Sequence, residues 1–293
     1  MNKQRPIARD WKVGNVTIRK VVELEGAVPG GPGSLLPDAT PEALSRISWL
    51  VPNFALKSGQ LRVSVQSFVI QTPHDLVVLD TGIGNGRRRT NPFYDNLDTD
   101  FLDRLNTAGA VPRDVTGVIC THLHVDHVGW NTIWQDGEWV PTFPNATYYV
   151  ARPEWEGWTT KPERIDAEAF KKDSIDPVSA AGLLCLVEAD QEILPGVRLM
   201  ATPGHTPGHT SVVVASRDES ATILGDVMLH PCQVARPDWT SPLDEDAVRA
   251  VETRKSILER YVDTGKLVLG MHFARQSGGY ISHKDSGFRF DGA

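Results

Sequence analysis

The sequence predicts an α/β protein folded as one domain, and three observations carry that expectation. Short apolar, β-branched segments recur along the chain between stretches with helical spacing. His122, His205, Asp226 and His272 each stand just after one of those β-like segments, as a site on the edge of a sheet sandwich requires. No internal repeat, low-complexity tract or linker divides residues 1–293, so a single domain is expected.

Residues 16–24 are rich in β-branched side chains and predict a first strand. The run Gly26-Ala27-Val28-Pro29-Gly30-Gly31-Pro32-Gly33 suits neither a helix nor a central strand. It opens an excursion, residues 26–60, that carries Leu35, Leu36, Ile47, Trp49, Leu50 and Phe54. An irregular segment this apolar is expected to be a lid or pocket wall, with a homodimer contact as the alternative. Residues 61–72 and 76–79 predict two strands joined at Pro73-His74-Asp75, the second ending at Asp80-Thr81-Gly82. Arg87-Arg88-Arg89 reads as part of a solvated loop, with anion binding as the minority reading. Phe101, Leu102 and Leu105 share a helical face, with Asp98 or Thr99 to cap it.

Val118, Ile119 and Cys120 predict a buried strand. Residues 137–139 and 146–150 then read as a hairpin, and residues 153–186 as mostly helical, anchored by Trp155, Trp158 and Phe170. A strand at 197–201 runs into Thr202-Pro203-Gly204-His205-Thr206-Pro207-Gly208-His209, and strands at 212–215 and 222–224 lead to Gly225-Asp226. Ser241-Pro242-Leu243-Asp244 has the form of a helix start, with Ser as cap and Pro at the first position. That helix would bury Ala247, Val248, Val251, Leu258 and Val262 and stop near Gly265. A last strand, 267–269, delivers His272-Phe273.

Composition excludes several classes of function. Hydrophobic and charged contents of 40% and 23% are those of a globular protein. With 30 basic against 37 acidic residues the net charge is −7, which argues against a nucleic-acid partner and leaves a small-molecule substrate. No stretch approaches the roughly 18 continuous apolar residues of a membrane span. The residues from Met1 to Pro6 do not resemble an apolar leader, so a cytoplasmic location is expected. Cys120, Cys185 and Cys232 are odd in number and far apart, as expected of free thiols in a reducing compartment.

The most informative stretch is Thr121-His122-Leu123-His124-Val125-Asp126-His127-Val128-Gly129-Trp130. Imidazole nitrogens and a carboxylate crowded directly after a buried strand suit zinc or a similar divalent ion. Alternate residues of an extended segment point the same way, so His122 and His124 can share one ion. Asp126 and His127 lie past the bend and can turn toward a second. A bridging carboxylate from elsewhere would hold two ions about 3.5–4 Å apart.

His122-Leu123-His124-Val125-Asp126-His127, Thr-Pro-Gly-His at His205, Gly-Asp at Asp226, the late His272 and the early Asp80-Thr81-Gly82 together resemble the metallo-β-lactamase superfamily of metallohydrolases. The resemblance implies an αββα sandwich of two mixed sheets flanked by helices. It implies that His122, His124 and His205 bind one metal, that Asp126, His127 and His272 bind the other, and that Asp226 bridges them. Zinc is the expected metal, with manganese, cobalt or iron as alternatives. The implied chemistry is attack by a metal-bound hydroxide, with Asp126 orienting the nucleophile or taking its proton. His209 is expected to hydrogen-bond nearby and Asp80 to orient a ligand; His74, His230 and His283 are left as surface or supporting residues.

Within the superfamily, the doubled Thr-Pro-Gly-His is similar to the lactonase-like and organophosphate-hydrolase-like branch. Asp at 226, where zinc β-lactamases carry Cys, argues against a β-lactamase, and His124 in place of Glu argues against an oxygen-reducing diiron site. Acyl-homoserine lactonases often carry a Tyr soon after the bridging Asp; here Val227, Met228, Leu229 and His230 follow. The expected function is hydrolysis of a small, fairly apolar ester or lactone. Phosphotriester, amide or carbon–halogen hydrolysis is the alternative, and a mononuclear iron dioxygenase or a metal-binding sensor stands further off. Trp130, Trp134, Met228, Leu229 and Phe273 adjoin the ligands in sequence and are expected to line the pocket.

Overall fold

A computed structural model describes residues 10–160, 167–284 and 287–293. The chain divides into two compact units, one of Val65–Gln191 with the described part of Ala8–Glu23, the other of Leu24–Ser64 and Glu192–Ala293. Among the described residues there are two seven-stranded sheets and one two-stranded ribbon.

The first sheet runs in the order β1 (Asp10–Val13), β2 (Val16–Ala27), β3 (Arg62–Gln71), β4 (Leu76–Leu79), β5 (Gly117–Cys120), then Thr147–Ala151 and Leu184–Val187. β3 pairs antiparallel with β4, and β4, β5 and Thr147–Ala151 pair in parallel. Parallel strands that carry helices on their faces are buried on both sides, which explains the uninterrupted apolar runs Leu76–Leu79 and Gly117–Cys120. Because β4 and β5 point the same way, Asp80 and Thr121 leave the sheet at one edge. Around this sheet Val69, Val78, Val118, Phe101, Tyr148 and Phe170 form one core.

The second sheet comprises Glu192–Leu194, Val197–Ala201, Thr210–Ser216, Glu219–Ile223, Leu267–Leu269, Gly278–Lys284 and Gly287–Gly292, in sequence order. Val197–Ala201 and Glu219–Ile223 are each antiparallel to the strand between them, and Leu267–Leu269 is parallel to Glu219–Ile223. The three strands that precede His205, Asp226 and His272 therefore run in one direction and release those residues at one edge. Of residues 26–60, Val51 is exposed, while Leu36, Leu44, Ile47, Leu50 and Phe54 are buried in the core of this unit with Met228, Trp239 and Phe273. Each such side chain contributes about 1.5–3 kcal/mol by leaving water. Among the described residues, no helix is long and apolar enough to cross a membrane.

Several local expectations are corrected. The hairpin joins Thr132–Gln135 to Glu138–Pro141 around Asp136-Gly137, while Thr147–Ala151 goes to the large sheet, because β-branched and aromatic residues there find parallel partners. Residues 184–187 are a strand rather than helix, and two strands follow Leu267–Leu269. The helix at 101 starts with Asp100 in the cap position and makes no side-chain cap bond. The later helix, Ala247–Tyr261, is capped by Asp246, whose side chain accepts from Arg249 N at 2.9 Å. Its buried face is Ala250, Arg254, Ile257, Leu258 and Tyr261, and Val248 is 71% exposed. Ser241-Pro242-Leu243-Asp244 is a turn: Leu243 N donates to Ser241 Oγ and Ser241 N to Asp244 Oδ2.

The arginine run is not a solvated loop. Only Arg88 faces water; Arg87 and Arg89 are buried. Arg89 makes a bidentate pair with Asp173 at 2.7 and 2.8 Å. Arg87 donates to Thr132 and Ser174 and lies 4.3 Å over the Trp139 ring. Burial pushes the Arg87 guanidinium down to about 10, against the opposing pull of Asp173. Two desolvated cations are held here by a carboxylate and neutral acceptors, an arrangement that sequence spacing does not announce.

Candidate metal centre

In the first unit the chain leaves β5 at Thr121, and the ligand-type residues follow at once. Asp80 is the pivot. It sits at φ 51°, in the left-handed region that Asp tolerates better than most residues. Its carboxylate accepts Thr121 N at 2.7 Å and Thr121 Oγ1 at 2.8 Å, and lies 2.8 Å from His127 Nδ1. The Thr121 hydroxyl proton goes to Asp80, so Thr121 Oγ1 accepts from His122 Nδ1, 3.0 Å away. Both imidazoles are thereby held in the tautomer that leaves Nε2 as a lone pair.

His122 Nε2 and His124 Nδ1 are 3.0 Å apart. Two nitrogens bound at about 2.0–2.1 Å to one tetrahedral ion stand about 3.3 Å from each other. Asp126 Oδ1 lies 3.8 Å from His127 Nε2. His122 and His127 are fully buried, whereas His124 and Asp126 keep some exposure. The turn is tight: a Cβ at Gly129 would meet Ile83 O at 1.8 Å. The backbone N of Leu123, between the two histidines, donates to buried Glu154 at 2.9 Å, and Trp158 Nε1 donates to the same oxygen at 2.9 Å.

In the second unit, Asp226 lies in the turn Gly225–Val227 after Glu219–Ile223. Its two carboxylate oxygens face different rings, His205 Nε2 at 3.3 Å and His272 Nε2 at 3.1 Å. Each ring is supported from behind: His205 Nδ1 by Asp244 Oδ1 at 3.1 Å, His272 Nδ1 by the Ser64 carbonyl at 2.8 Å. Asp244 is itself fully buried beside Arg254, whose pKa burial pushes down while Asp244 opposes it. His209 accepts Asp226 N at Nε2 and turns Nδ1 to Thr202, so it orders the turn and has no ring nitrogen left for an ion. The Thr202–His205 turn needs Gly204, at φ 134°, because a Cβ there would meet Ala250 N at 2.3 Å.

These donor sets fit divalent ions. With the proton held on Nδ1 by its hydrogen-bond acceptor, Nε2 of His122, His127, His205 and His272 turns a lone pair toward another lone pair on nitrogen or on a carboxylate. A proton or a cation between them relieves that repulsion, and imidazole with carboxylate is the set that zinc and its neighbours take.

The first unit holds His122, His124, Asp126 and His127 together, and the second holds His205, Asp226 and His272. The residues expected to line a pocket have other surroundings. Trp130 is buried, stacked on Phe101 and bonded through Nε1 to Glu23; Met228 and Phe273 are in the core of their unit; Leu229 is buried, with its N donating to Gln233. Trp134 is 60% exposed on the hairpin beside Trp139. Large apolar groups next to a tight turn are drawn toward the core, as Trp130, Met228, Leu229 and Phe273 are. His230 is neither superficial nor a support for a ligand: fully buried, it is 2.9 Å from the Phe54 carbonyl and accepts Cys232 N. Burial pushes the Cys232 and Cys120 thiols up, which keeps them neutral and unreactive. A cavity of about 340 Å³ does open in the first unit, with Leu123, Trp155, Trp158 and Ile175 on its walls. Glu154, Asp244, the Thr121 hydroxyl and the Ser64 carbonyl were not singled out from sequence; of these only Asp244 had a signal, as a carboxylate beside the helix start.

Comparison with known proteins bears on both units. The family model for the Metallo-beta-lactamase superfamily matches residues 61–277. An N-acyl homoserine lactonase of Bacillus thuringiensis is 26% identical over 185 residues, covering 59% of this chain and 67% of its own length. The N-acyl homoserine lactonase AttM of Rhizobium radiobacter is 26% identical over 232 residues, covering 72% and 84%. Among solved structures, the hydrolase AbOPH of the beta-lactamase superfamily aligns with TM-score 0.81 and 24% identity over 99% of both chains. AidC, a dizinc quorum-quenching lactonase with a bound N-hexanoyl-L-homoserine product, aligns with TM-score 0.79 and 22% identity over 98% of this chain and 97% of its own. The fold is the metallo-β-lactamase fold, with mixed sheets and helices as the motifs implied.

Proposed function

The chain belongs to the metallo-β-lactamase superfamily and is a metal-dependent hydrolase, and we propose that it opens a lactone, or cleaves a related small ester, at a dinuclear zinc centre. His122, His124 and His205 would hold one ion, Asp126, His127 and His272 the other, and Asp226 would bridge them. The observation that carries this reading is the Asp226 carboxylate, whose two oxygens address two different imidazoles that are each backed on Nδ1. That is the disposition of a bridging ligand. The relatives described above, lactonases by name, support the lactone as substrate, and the dizinc neighbour supports the metal and its number.

Divalent ions bound there would supply Lewis acidity, lowering the pKa of water toward neutrality and stabilising charge on the carbonyl oxygen. The chain supplies the rest. Asp126, only partly exposed and 3.8 Å from His127 Nε2, is the group to take the proton of the attacking water and return it to the departing alkoxide. Asp80 and Asp244 fix the tautomers of His127 and His205 and keep both rings aimed. Val227 and Met228, which follow Asp226 where a carbonyl-assisting tyrosine could stand, are packed into the core instead.

The test is metal analysis of the purified protein together with turnover of lactones, aryl esters, phosphotriesters and a β-lactam, with and without chelator. Two zinc ions per chain and chelator-sensitive lactone or ester hydrolysis are expected. Dominant phosphotriester turnover would replace the lactone with a phosphotriester. One ion per chain would remove the dinuclear centre.

A further inference from the structure

His205 and Asp226, both in the second unit, follow different strands, and one helix is bonded to both turns. Just ahead of the helix Ala247–Tyr261, Glu245 N donates to the His205 carbonyl and Asp246 N to the Gly204 carbonyl, each at 3.0 Å. Within the helix, Thr253 Oγ1 donates to the Pro203 carbonyl at 2.6 Å. The next residue, Arg254, reaches the other turn: its Nε donates at 2.9 Å to the carbonyl of Val227, the residue after Asp226. Two neighbours on one helix therefore set the separation of two ligand-bearing turns.

The rest of the guanidinium is committed as firmly. Nη1 donates to the Pro237 and Trp239 carbonyls, both at 2.8 Å, and Nη2 lies 3.7 Å from Asp244 Oδ2. The other oxygen of Asp244 is the one behind His205 Nδ1. Gln233 braces the same segment, donating from Nε2 to the Trp239 carbonyl and accepting Leu229 N at Oε1. Arg254 is fully buried. A buried cation is costly to desolvate, and an apolar side chain of similar volume often stabilises a core as well or better. An apolar side chain cannot fix three carbonyls and a carboxylate at once, as the planar guanidinium with its five donors does.

We propose that Arg254 is a positioning residue for the metal centre. Acting through Val227 and Asp244, it holds the Asp226 turn and the support of His205 in one register. His205 Nε2 and the Asp226 carboxylate, 3.3 Å apart, then converge on one ion. The inference rests on the reading of His205 and Asp226 as ligands of a shared ion.

The test compares Arg254→Lys with the parent full chain. Lysine keeps the charge but cannot span the same four acceptors. Zinc affinity is measured by competition with a chelator, and the geometry of the centre by the visible absorption of the cobalt-loaded protein. The Nδ1–H proton resonance of His205 is followed in the metal-free protein and assigned by its loss in His205→Gln. In Arg254→Lys zinc affinity should fall about 10–100-fold, the cobalt bands should shift, and the His205 resonance should move. Gln233→Met leaves Arg254 in place but frees Leu229 N and one donor to the Trp239 carbonyl; it should change affinity and cobalt bands in the same sense by less. Ile257→Ala, which removes buried packing from the same helix, should lower the urea midpoint and leave all three readouts at parent values. Parent-like readouts in Arg254→Lys would overturn the proposal, and if that variant does not fold, parent-like affinity and bands in Gln233→Met would do so. Equal changes in Ile257→Ala would also overturn it, because lost packing alone would then produce them. If the parent binds no zinc while the His205 resonance still moves in Arg254→Lys, the positioning of His205 stands and the dinuclear reading fails.

Discussion

The two groups of ligand-type residues are built on opposite plans. In the first unit His122, His124, Asp126 and His127 come from one turn, and their supports, Asp80 and Thr121, are side chains at the ends of two adjacent parallel strands. In the second unit His205, Asp226 and His272 come from three separate strand ends, and their supports are Asp244 and a main-chain carbonyl. One group is assembled by local sequence and the other by sheet register. A turn-borne set depends on the hydrogen bonds that shape the turn, whereas a register-borne set depends on the stability of the whole unit.

The largest effect should come from the ligands. Asp226→Ala and His124→Ala should each lower kcat by about three orders of magnitude or more, as loss of metal catalysis implies. Metal content should fall as well, with far-ultraviolet circular dichroism largely preserved. An Asp226→Ala protein that keeps two ions and full activity would remove the bridging role.

The supports separate the two plans. Asp80→Asn keeps the size of the side chain but weakens its charge-assisted bonds to Thr121 and His127; metal affinity should drop about 10–100-fold. Asp244→Asn should lower affinity to a similar degree, and in addition cost about 3 kcal/mol of stability, because it leaves buried Arg254 without its carboxylate. Titration with a chelator and urea denaturation of the metal-free proteins measure the two quantities. Equal stability of the two variants would erase the distinction. Gly204→Ala should cost about 3 kcal/mol, since φ 134° and the 2.3 Å approach to Ala250 N are both incompatible with a Cβ.

What was legible in the sequence follows the same division. The cluster from His122 to His127 announces itself, because metal-ligand residues at that density have few other uses. His205, Asp226 and His272 are legible through their resemblance to the superfamily's motifs; each also follows an apolar strand, and strand direction brings them to one edge of their sheet. Long-range partners were not legible. Nothing local marks Asp173 as the acceptor for Arg87 and Arg89, so the burial of these two arginines is not visible in a charged run that reads as solvated loop. Likewise Thr147–Ala151 pairs in parallel with β5 rather than in a hairpin, since the choice between the two is decided by tertiary packing. Ser241–Asp244 carried an authentic helix-start pattern, yet its carboxylate serves His205 and the cap falls to Asp246.

His230 extends the contrast to a titrating group outside both ligand sets. Its burial among apolar residues lowers its pKa to about 4, with the Phe54 carbonyl opposing the shift. The unfolded chain has the ordinary value near 6.5, so below that pH it binds a proton that the folded state refuses. The stabilisation is complete above about pH 6.5 and is lost as pH falls toward 4. Between pH 7 and pH 5 this one residue should remove about 2 kcal/mol of stability. His230→Gln keeps a donor for the Phe54 carbonyl and an acceptor for Cys232 N but cannot titrate. Its stability should therefore fall less steeply over that interval, by about the same 2 kcal/mol, when urea denaturation of the metal-free proteins is compared at pH 7 and pH 5. Parallel pH profiles for parent and variant would mean that His230 contributes nothing to the acid sensitivity.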